Sequence, residues 1–286
     1  MLYINGNQIK TSYFSNTEVR VKDFMQHIKS INNYIELKYE TERLDYKIND
    51  DLMQLYFLKQ EFDSMYIEVS LVLWSMPYQR MDHKNVDDLY TLPYVANFLK
   101  SLNFKKILVI EPHSGKTEEF LGEVAKIVYP VATWIKSAVK VEKSVNSDVV
   151  IVFPDKGAYE RYKDMLDADV KTCVFTKKRN NYTNDIEAHY ISQGEIPNGS
   201  TCYIIDDICS SGQTLLDVAC EAMKSGAKDI NIIVGHCEDK ALKGQILKQG
   251  SPVNKMYTSK SMISTIHPKI EYMDIPQEII ENWLFN

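Results

Sequence analysis

Residues 202–214 read CYIIDDICSSGQT, and no other stretch constrains the chain as strongly. An apolar run leads into two adjacent acids, a turn of small and hydroxyl-bearing residues follows, and a helical pattern begins at Leu215. This order predicts a strand over residues 201–205, then a loop, then a helix over residues 215–224. N–H groups at a helix N-terminus bind phosphate, and paired carboxylates bind sugar hydroxyls or a magnesium-bound group. The segment therefore predicts a ribose 5-phosphate site; the alternative is an ordinary strand–helix turn with a capping Asp or Ser.

Strand and helix patterns alternate in both halves of the chain, whose 286 residues fit two domains. In the second half we predict further strands over residues 148–153, 170–176 and 230–235, and a helix over residues 157–166. In the first half we predict helices over residues 50–62 and 92–102, and strands over residues 67–73 and 107–110.

These elements predict an α/β protein with two tandem domains, each a mainly parallel sheet flanked by helices. We expect the domains to comprise residues 1–140 and 141–270, with the boundary in the polar stretch 140–147. Residues 271–286 are expected to form a helix that packs back on one of the domains.

The composition excludes several classes of protein. A formal net charge of −6 argues against binding through a basic surface, so we expect no nucleic-acid partner. No run of about 18 apolar residues is present, and residues 1–10 lack a charged segment followed by an apolar one, so we expect neither a membrane span nor a secretory signal. The five cysteines show no C-x-x-C spacing, which favours reduced, buried thiols in a cytoplasm.

The 202–214 segment resembles the phosphoribosyl pyrophosphate-binding motif of type I phosphoribosyltransferases and ribose-phosphate pyrophosphokinases. The resemblance implies that Asp206 and Asp207 bind the ribose hydroxyls. It also implies a 5-phosphate loop made of Ser210, Ser211, Gly212, Gln213 and Thr214. The pyrophosphokinases usually have Asp-Thr-x-Gly-Thr there, so this chain lacks an acid at position 210. That loss removes a negative charge from the pocket and favours an acceptor other than plain ribose 5-phosphate.

The first half extends the resemblance to the pyrophosphokinases, which implies two tandem type I phosphoribosyltransferase-like domains. Residues 13–19, YFSNTEV, resemble that family's Phe-Ser-(Asp/Asn)-x-Glu segment. The resemblance implies that Phe14 stacks on adenine, while Asn16 and Glu18 reach the nucleotide of a neighbouring subunit. Residues 77–83, PYQRMDH, resemble Pro-Tyr-Ala-Arg-Gln-Asp-Arg, which implies ATP contacts for Arg80 and Asp82.

Three further short motifs resemble the family's metal and catalytic segments. His113 follows a strand in the sequence EPHS and is implied to bind both ATP and Mg²⁺. Asp155, in FPDKGA, is implied to be the second protein ligand of Mg²⁺. Lys177 and Arg179 match the Lys-x-Arg that opens the family's flexible catalytic loop. Taken alone, this basic pair would be an ordinary solvated turn.

The resemblance implies a diphosphokinase that transfers the β,γ-pyrophosphate of ATP to the anomeric hydroxyl of a ribose 5-phosphate-type acceptor. Ribose 5-phosphate is the default acceptor. ADP-ribose, used for NAD synthesis by a viral branch of similar proteins, is the contender, and the location would then be a host cytoplasm. A homo-oligomer is expected, either a dimer or a hexamer built from dimers. A non-catalytic sensor of phosphoribosyl pyrophosphate and a phosphoribosyltransferase remain as alternatives.

Overall fold

The computed structural model describes residues 1–43, 46–84, 88–145, 148–179 and 186–285, and only the backbone at positions 178, 179 and 186–188. The chain divides into two compact units. Unit 1 comprises Met1–Tyr129 with Ile275–Asn286, and unit 2 comprises Pro130–Asp274. Each unit contains a mainly parallel sheet flanked by helices, which confirms the predicted α/β fold class.

Unit 1 begins with short strands and continues with alternating helices and strands. Its strands are β1 (Leu2–Ile4), β2 (Asn7–Gln8), β3 (Lys10–Tyr13), β4 (Val19–Lys22), β5 (Asn33–Leu37), β6 (Val69–Leu73), β7 (Ile107–Ile110) and β8 (Ala125–Val128). Its first three helices are α1 (Ile48–Ser64), α2 (Leu92–Ser101) and α3 (Lys116–Leu121). The main sheet has the order β2-β1-β5-β6-β7-β8, and β5 to β8 run parallel.

The remaining two strands of unit 1, β3 and β4, form a separate antiparallel hairpin. The core of the unit lies between the sheet and helices α1 and α2, where Leu55, Leu71 and Leu99 are fully buried. Strand β7 coincides with the predicted strand 107–110, because all four of its residues are buried and apolar.

Unit 2 opens with a long helix and then alternates strands and helices. Its elements are α4 (Pro130–Ser144), β9 (Val149–Phe153), α5 (Lys156–Tyr162), β10 (Lys171–Arg179), β11 (Ile186–Gly194), β12 (Thr201–Cys209), α6 (Gln213–Lys224), β13 (Asp229–Cys237), α7 (Lys240–Lys243), β14 (Val253–Thr258) and β15 (Ile270–Tyr272). The seven-stranded sheet has the order β11-β10-β9-β12-β13-β14-β15. All neighbours are parallel except β10 and β11, which form an antiparallel hairpin.

The last helix, α8 (Gln277–Phe285), belongs to unit 1. Ile280 and Leu284 on this helix pack on the second face of the unit 1 sheet, against Tyr34, Val72 and Leu108. A C-terminal helix is therefore present, but it is shorter than the expected range of residues 271–286. It covers the sheet of the first unit.

Three elements of unit 2 differ from the sequence-based expectation. Strand β12 continues four residues past the predicted end at position 205, because Asp206, Ile208 and Cys209 pair in register with β13. Residues 171–179 and 186–194 form a hairpin where a flexible loop was expected to begin. The expected boundary at residue 140 falls inside α4, whose buried face includes Trp134 and Val139.

All five cysteines are free, and four of them are buried. Among the described residues, no helix is long and apolar enough to cross a membrane.

The close approach of β11 to β10 gives a test of the hairpin. Gly194 has a φ of +76°, and a Cβ there would lie 2.1 Å from the carbonyl oxygen of Thr172. We expect Gly194→Ala to lower the free energy of unfolding by more than about 2 kcal/mol, because backbone must move to admit the methyl group. Urea denaturation measures this loss. Gly115→Ala is the matched control, since a Cβ there meets nothing within 4 Å, and equal losses in the two variants would contradict the hairpin geometry.

Candidate active site

Two adjacent carboxylates near the end of β12 are held by one guanidinium group. Arg161 on α5 places Nη1 2.8 Å from Asp207 Oδ1 and 3.4 Å from Asp206 Oδ1. The Asp207 side chain is 1% exposed, whereas 23% of the Asp206 side chain remains exposed. Asp206 is therefore the acid of this pair that a ligand can reach in this structure.

The electrostatics of the pair are unfavourable for ionised Asp206. Burial, and next the neighbouring Asp207 carboxylate, raise the pKa of Asp206 well above its usual value, while Arg161 opposes this shift. Asp206 Oδ1 also accepts a hydrogen bond of 2.9 Å from the backbone N–H of Asp207. A buried acid at the end of a strand, next to a loop, is typical of a binding site.

The predicted 5-phosphate loop lies between the end of β12 and the start of α6. Gly212 precedes the helix with a φ of +77°, and a Cβ there would lie 2.6 Å from Ile246 Cγ2. A Cβ at Gly244 would lie 2.5 Å from the Ser211 carbonyl oxygen. The segment around residues 244–246 thus packs closely on the loop and fixes its backbone at the N-terminus of a twelve-residue helix. Such a helix start can bind phosphate.

The loop side chains are partly used within the protein. The Ser210 hydroxyl donates a 2.5 Å hydrogen bond to Glu238 Oε2. Gln213 Nε2 donates to Asp217 Oδ1 at 2.7 Å, and the Ser211 hydroxyl accepts from the Gln213 N–H at 3.4 Å. Thr214 lies half-buried in the first turn of α6. The charge that the sequence lacks at position 210 is therefore present beside the loop, on Glu238.

Asp155 and Lys177 form an ion pair beside the same sheet edge. Asp155 is the N-cap of α5, with Oδ1 accepting the Ala158 N–H at 3.1 Å. Its Oδ2 lies 3.5 Å from Lys177 Nζ, and its side chain is 43% exposed. The backbone of Arg179 pairs with Ile186, while its side chain lies outside the described part of the chain.

The donor set can be compared with the needs of Mg²⁺. This ion is usually bound by one or two carboxylates together with waters and substrate phosphates. Asp155 offers an exposed carboxylate of this kind. Within the described residues, no cluster of three or more His, Cys, Asp or Glu side chains could hold a metal by itself. The residues thus fit an ion that arrives with its nucleotide.

In unit 1, a buried glutamine joins the two loops that follow β6 and β7. Gln79 donates to the Ser75 hydroxyl at 2.8 Å, and its Oε1 accepts the His113 N–H at 3.0 Å. The adjacent Arg80 is exposed, and Asp82 is buried with its Oδ1 2.5 Å from His83 Nδ1. Gln79 therefore fixes the backbone of His113 next to the loop that carries Arg80.

The proposed adenine-binding segment is the exposed turn of the β3–β4 hairpin. Phe14 is 53% exposed. The centroid of its ring lies 5.9 Å from the guanidinium carbon of Arg20. Asn16 Oδ1 accepts the Glu18 N–H at 3.2 Å, so this side chain shapes the turn.

The start of α1 connects the hairpin with the Arg80 loop. Asp50 Oδ2 accepts from the Tyr13 hydroxyl at 3.3 Å, and Asn49 Oδ1 accepts from the Tyr78 hydroxyl at 2.6 Å. Tyr13 directly precedes Phe14, and Tyr78 lies two residues before Arg80. The start of α1 therefore contacts one residue beside the hairpin turn and one residue of the 77–83 segment.

Three residues of these sites were not found by sequence reasoning: Arg161, Glu238 and Gln79. Arg161 lies in the helix that Asp155 caps, six residues after it in sequence. This short separation is a signal from which a place near the Asp155 turn could have been predicted. Glu238 follows the strand next to β12, but which loop it contacts depends on the strand order. Gln79 is a lone amide inside the 77–83 motif, and the motif indicates a role only for Arg80 and Asp82.

Comparison with known proteins identifies the class of fold. The family described as phosphoribosyl transferase domain matches residues 124–252. The crystal structure of phosphoribosylpyrophosphate synthetase from Mycobacterium smegmatis superposes with a TM-score of 0.77 over 97% of this chain and 89% of the other, at 16% identity. The chain thus has the two-domain phosphoribosyltransferase fold.

Several curated proteins are similar in sequence to this chain. Ribose-phosphate pyrophosphokinase from Ureaplasma parvum is 27% identical over 191 residues, which are 66% of this chain and 57% of the relative. Ribose-phosphate pyrophosphokinase 1 from Listeria innocua is 23% identical over 255 residues, 88% of this chain and 76% of the relative. The chain is thus similar to ribose-phosphate pyrophosphokinases at about a quarter identity, and its match spans little more than half of the Ureaplasma relative.

The raised pKa of Asp206 predicts a gain in stability on its neutralisation. The folded protein holds a proton on Asp206 at pH values where the unfolded chain has lost it, so stability falls as the pH rises from about 4 through the folded pKa. We expect Asp206→Asn to remove this fall and to raise the free energy of unfolding at neutral pH by about 0.5–2 kcal/mol. Urea denaturation across the pH range measures both effects.

Asp169→Asn serves as the control with the opposite sign. A hydrogen bond from Lys143 lowers the pKa of exposed Asp169, so its neutralisation should reduce stability slightly at neutral pH. An Asp206→Asn variant that is less stable than the wild type at neutral pH would contradict the electrostatic account.

Removal of the Arg161 guanidinium group should lower the stability of the protein. We expect Arg161→Met to lower the free energy of unfolding by about 3 kcal/mol, because it leaves the buried Asp207 carboxylate without this partner. Lys163→Met on the adjoining turn is the matched control, because its pair with Glu160 is exposed and should contribute little to stability. Urea denaturation compares the two variants, and similar losses would show that Arg161 does not hold the acid pair.

Proposed function

We propose that the chain is an ATP-dependent diphosphokinase. It would transfer the β,γ-pyrophosphate of ATP to the anomeric 1-hydroxyl of a ribose 5-phosphate-type acceptor and release AMP. Similarity to ribose-phosphate pyrophosphokinases supports this reaction. The observation that carries it is the grouping, within unit 2, of the acid pair, the phosphate loop and the Asp155–Lys177 pair.

In this proposal the acceptor lies at the end of β12. Asp206 orients the ribose by accepting hydrogen bonds from its hydroxyls, and the N–H groups at the start of α6 bind the 5-phosphate. Asp207 acts through Arg161, because its carboxylate is buried against that guanidinium group. Positioning of this kind can supply much of the rate of a transfer that needs no covalent enzyme intermediate.

The ribose 1-oxygen attacks the β-phosphorus of ATP, the bond between that phosphorus and the α,β-bridging oxygen breaks, and AMP leaves with the electron pair. The hydroxyl proton passes to solvent. Lys177 and Arg179 stabilise the negative charge on the transferring group, and Arg80, Asp82 and His113 orient the nucleotide. In unit 2, Asp155 would hold Mg²⁺, which would supply charge neutralisation on the phosphate oxygens. In unit 1, His113 is the Mg²⁺ ligand that the resemblance implies.

We propose two candidate acceptors. Ribose 5-phosphate is the acceptor that the family name implies, and ADP-ribose, giving ADP-ribose 1-pyrophosphate for NAD synthesis, is the contender. Ser211 and Gln213 are exposed at the helix start, where the family usually has other residues, and this favours keeping ADP-ribose as the second candidate.

A homo-oligomer is part of the proposal. Phe14 at the hairpin turn is more than half exposed, and an aromatic ring in this position can stack on a base held by a second chain. Asn16 and Glu18 flank it on the same turn. In a dimer or in a hexamer of dimers, this turn would complete the nucleotide site of a neighbouring copy.

Release of AMP tests the reaction directly. The protein is incubated with Mg²⁺ and ATP, and with ribose 5-phosphate or ADP-ribose in separate reactions, and AMP is quantified by chromatography. We expect AMP to form only when an acceptor is present, and the faster reaction identifies the acceptor. Absence of AMP with both acceptors would contradict the proposal and favour a non-catalytic sensor.

The basic pair on β10 gives a second test. We expect Lys177→Ala combined with Arg179→Ala to lower kcat by at least about 10²-fold, because both charges stabilise the transition state. Binding of ribose 5-phosphate, measured by calorimetry, should remain. Lys171→Ala is the matched control on the same strand, since its exposed amine pairs with Asp148 away from the site. An unchanged kcat in the double variant would remove the pair from the mechanism.

A further inference from the structure

Three buried side chains form a chain of hydrogen bonds where strands β13 and β14 end. The Ser261 hydroxyl lies 2.7 Å from His236 Nδ1 and 2.8 Å from the Ser259 hydroxyl. The Ser259 hydroxyl in turn lies 2.7 Å from the carbonyl oxygen of Gly235. His236 and Ser261 are fully buried and Ser259 is 1% exposed, so these polar groups depend on one another for hydrogen bonds.

The contacts fix which atom supplies each hydrogen. A carbonyl oxygen only accepts and a serine hydroxyl has one hydrogen, so Ser259 donates its hydrogen to Gly235. The contact between the two serines must then use the hydrogen of Ser261. Because that hydrogen is already used, the contact between Ser261 and His236 requires a hydrogen on Nδ1 of the imidazole. The donors therefore run from His236 through the two serines to the carbonyl of Gly235.

This chain of hydrogen bonds ties the segment after β14 to the end of β13. The register pairing of the two strands ends at Ile233 and Tyr257. Beyond that point the side chains of Ser259 and Ser261 bind β13 at two consecutive residues, Gly235 and His236. The side chains therefore continue the connection between the strands past the end of their register pairing.

The end of β13 also contacts the start of the predicted 5-phosphate loop. Glu238 follows His236 by two residues, and its N–H donates to the carbonyl oxygen of Cys209 at 2.8 Å. Its Oε2 accepts the Ser210 hydroxyl at 2.5 Å. Cys209 is the last residue of β12, and Ser210 is the first residue of the loop. A shift at the end of β13 would therefore reach the backbone of the loop through these two hydrogen bonds.

We infer that His236 is a positioning residue for the phosphate loop and that it acts as a hydrogen donor through Nδ1. Its ring is fully buried, so it acts through the end of β13 and not by contact with the acceptor. Loss of this donor leaves the strand end without its connection to the segment after β14. The inference rests on the proposed function, since it assumes that the loop binds the 5-phosphate of the acceptor.

The hydrogen on Nδ1 can be observed in the wild-type protein. Proton–nitrogen correlation spectra of protein labelled with ¹⁵N-histidine are recorded at about pH 9, where an ordinary imidazole is neutral. The nitrogen chemical shift distinguishes a ring nitrogen that bears a hydrogen from one that does not, and we expect Nδ1 of His236 to bear it. Nδ1 of His267 is the internal control, because it accepts the Lys269 N–H at 3.1 Å and so lacks a hydrogen. The spectrum of His236→Asn identifies the signals of His236.

Two amide variants separate the donor at Nδ1 from the rest of the ring. The amide nitrogen of Asn lies as many bonds from Cβ as Nδ1 does, whereas that of Gln lies one bond further, as Nε2 does. Ribose 5-phosphate and ADP-ribose are each titrated into the full-length protein, and calorimetry gives the dissociation constants. We expect His236→Asn to stay within about threefold of the wild type and His236→Gln to bind about tenfold more weakly, because a displaced loop no longer fits its ligand.

Removal of the serine that accepts from His236 provides an independent variant. Ser261→Ala should weaken binding as much as His236→Gln does, and the double variant should be no weaker than either single variant, because both changes break the same chain. Ser264→Ala, at an exposed position of the same segment, is the control and should bind as the wild type does. Circular dichroism confirms that each variant is folded.

The outcomes separate this inference from the proposed function. If an acceptor binds to the wild type, and His236→Asn and His236→Gln bind it with equal affinity, the role of His236 is overturned and the phosphate site stands. If neither compound binds to the wild type, the phosphate site itself is overturned, and the positioning role falls with it. A His236 Nδ1 without a hydrogen overturns the chain of donors whatever the affinities are. Weaker binding in His236→Gln and Ser261→Ala, with near wild-type binding in His236→Asn, supports the inference.

Discussion

Two carboxylates side by side on one strand must be kept together by a cation, and in this protein Arg161 provides it. Strand β12 carries Asp206 and Asp207 into the edge of the sheet, where Asp207 is almost fully buried. An isolated charge in such a place would be strongly destabilising, and the guanidinium of α5 stabilises the buried carboxylate. Asp206 is partly exposed, and its environment disfavours the ionised carboxylate. An acid of this kind is suited to bind a polar ligand.

The phosphate loop depends on this strand in turn. Where β12 ends, the chain must turn within three residues into α6, and Gly212 permits the required backbone conformation. Ile246 and Gly244 pack so closely on the loop that larger residues at Gly212 or Gly244 would not fit. The backbone of the loop is therefore held in place by the segment after β13, which packs closely on it. Rigid donors are effective because they are not reorganised when the ligand binds.

Much of the fold could be predicted from the sequence. The features that could not be predicted share one cause, which is that they depend on contacts between distant parts of the chain. Strand β7 was predicted to the residue because a short, fully buried apolar run has few alternatives. The end of β12 was placed four residues early, since acids in a strand normally mark its end and only the pairing with β13 keeps them in the sheet. The hairpin strand β11 was missed because its alternation of polar, small and apolar residues is not distinctive. The contacts of α1 with Tyr13 and Tyr78 join segments that are far apart in the chain, so no local pattern reveals them.

The sequence by itself determined the order of most elements and the resemblance to ribose-phosphate pyrophosphokinases, because these depend on residues that are close together in the chain. Only the tertiary structure decided which charges meet. Arg161 reaches Asp207 across 46 residues, and Glu238 reaches Ser210 across 28, because parallel strands bring their carboxyl ends to one edge of the sheet. The order of strands in that sheet is fixed by packing over the whole unit, so no short segment carries the information.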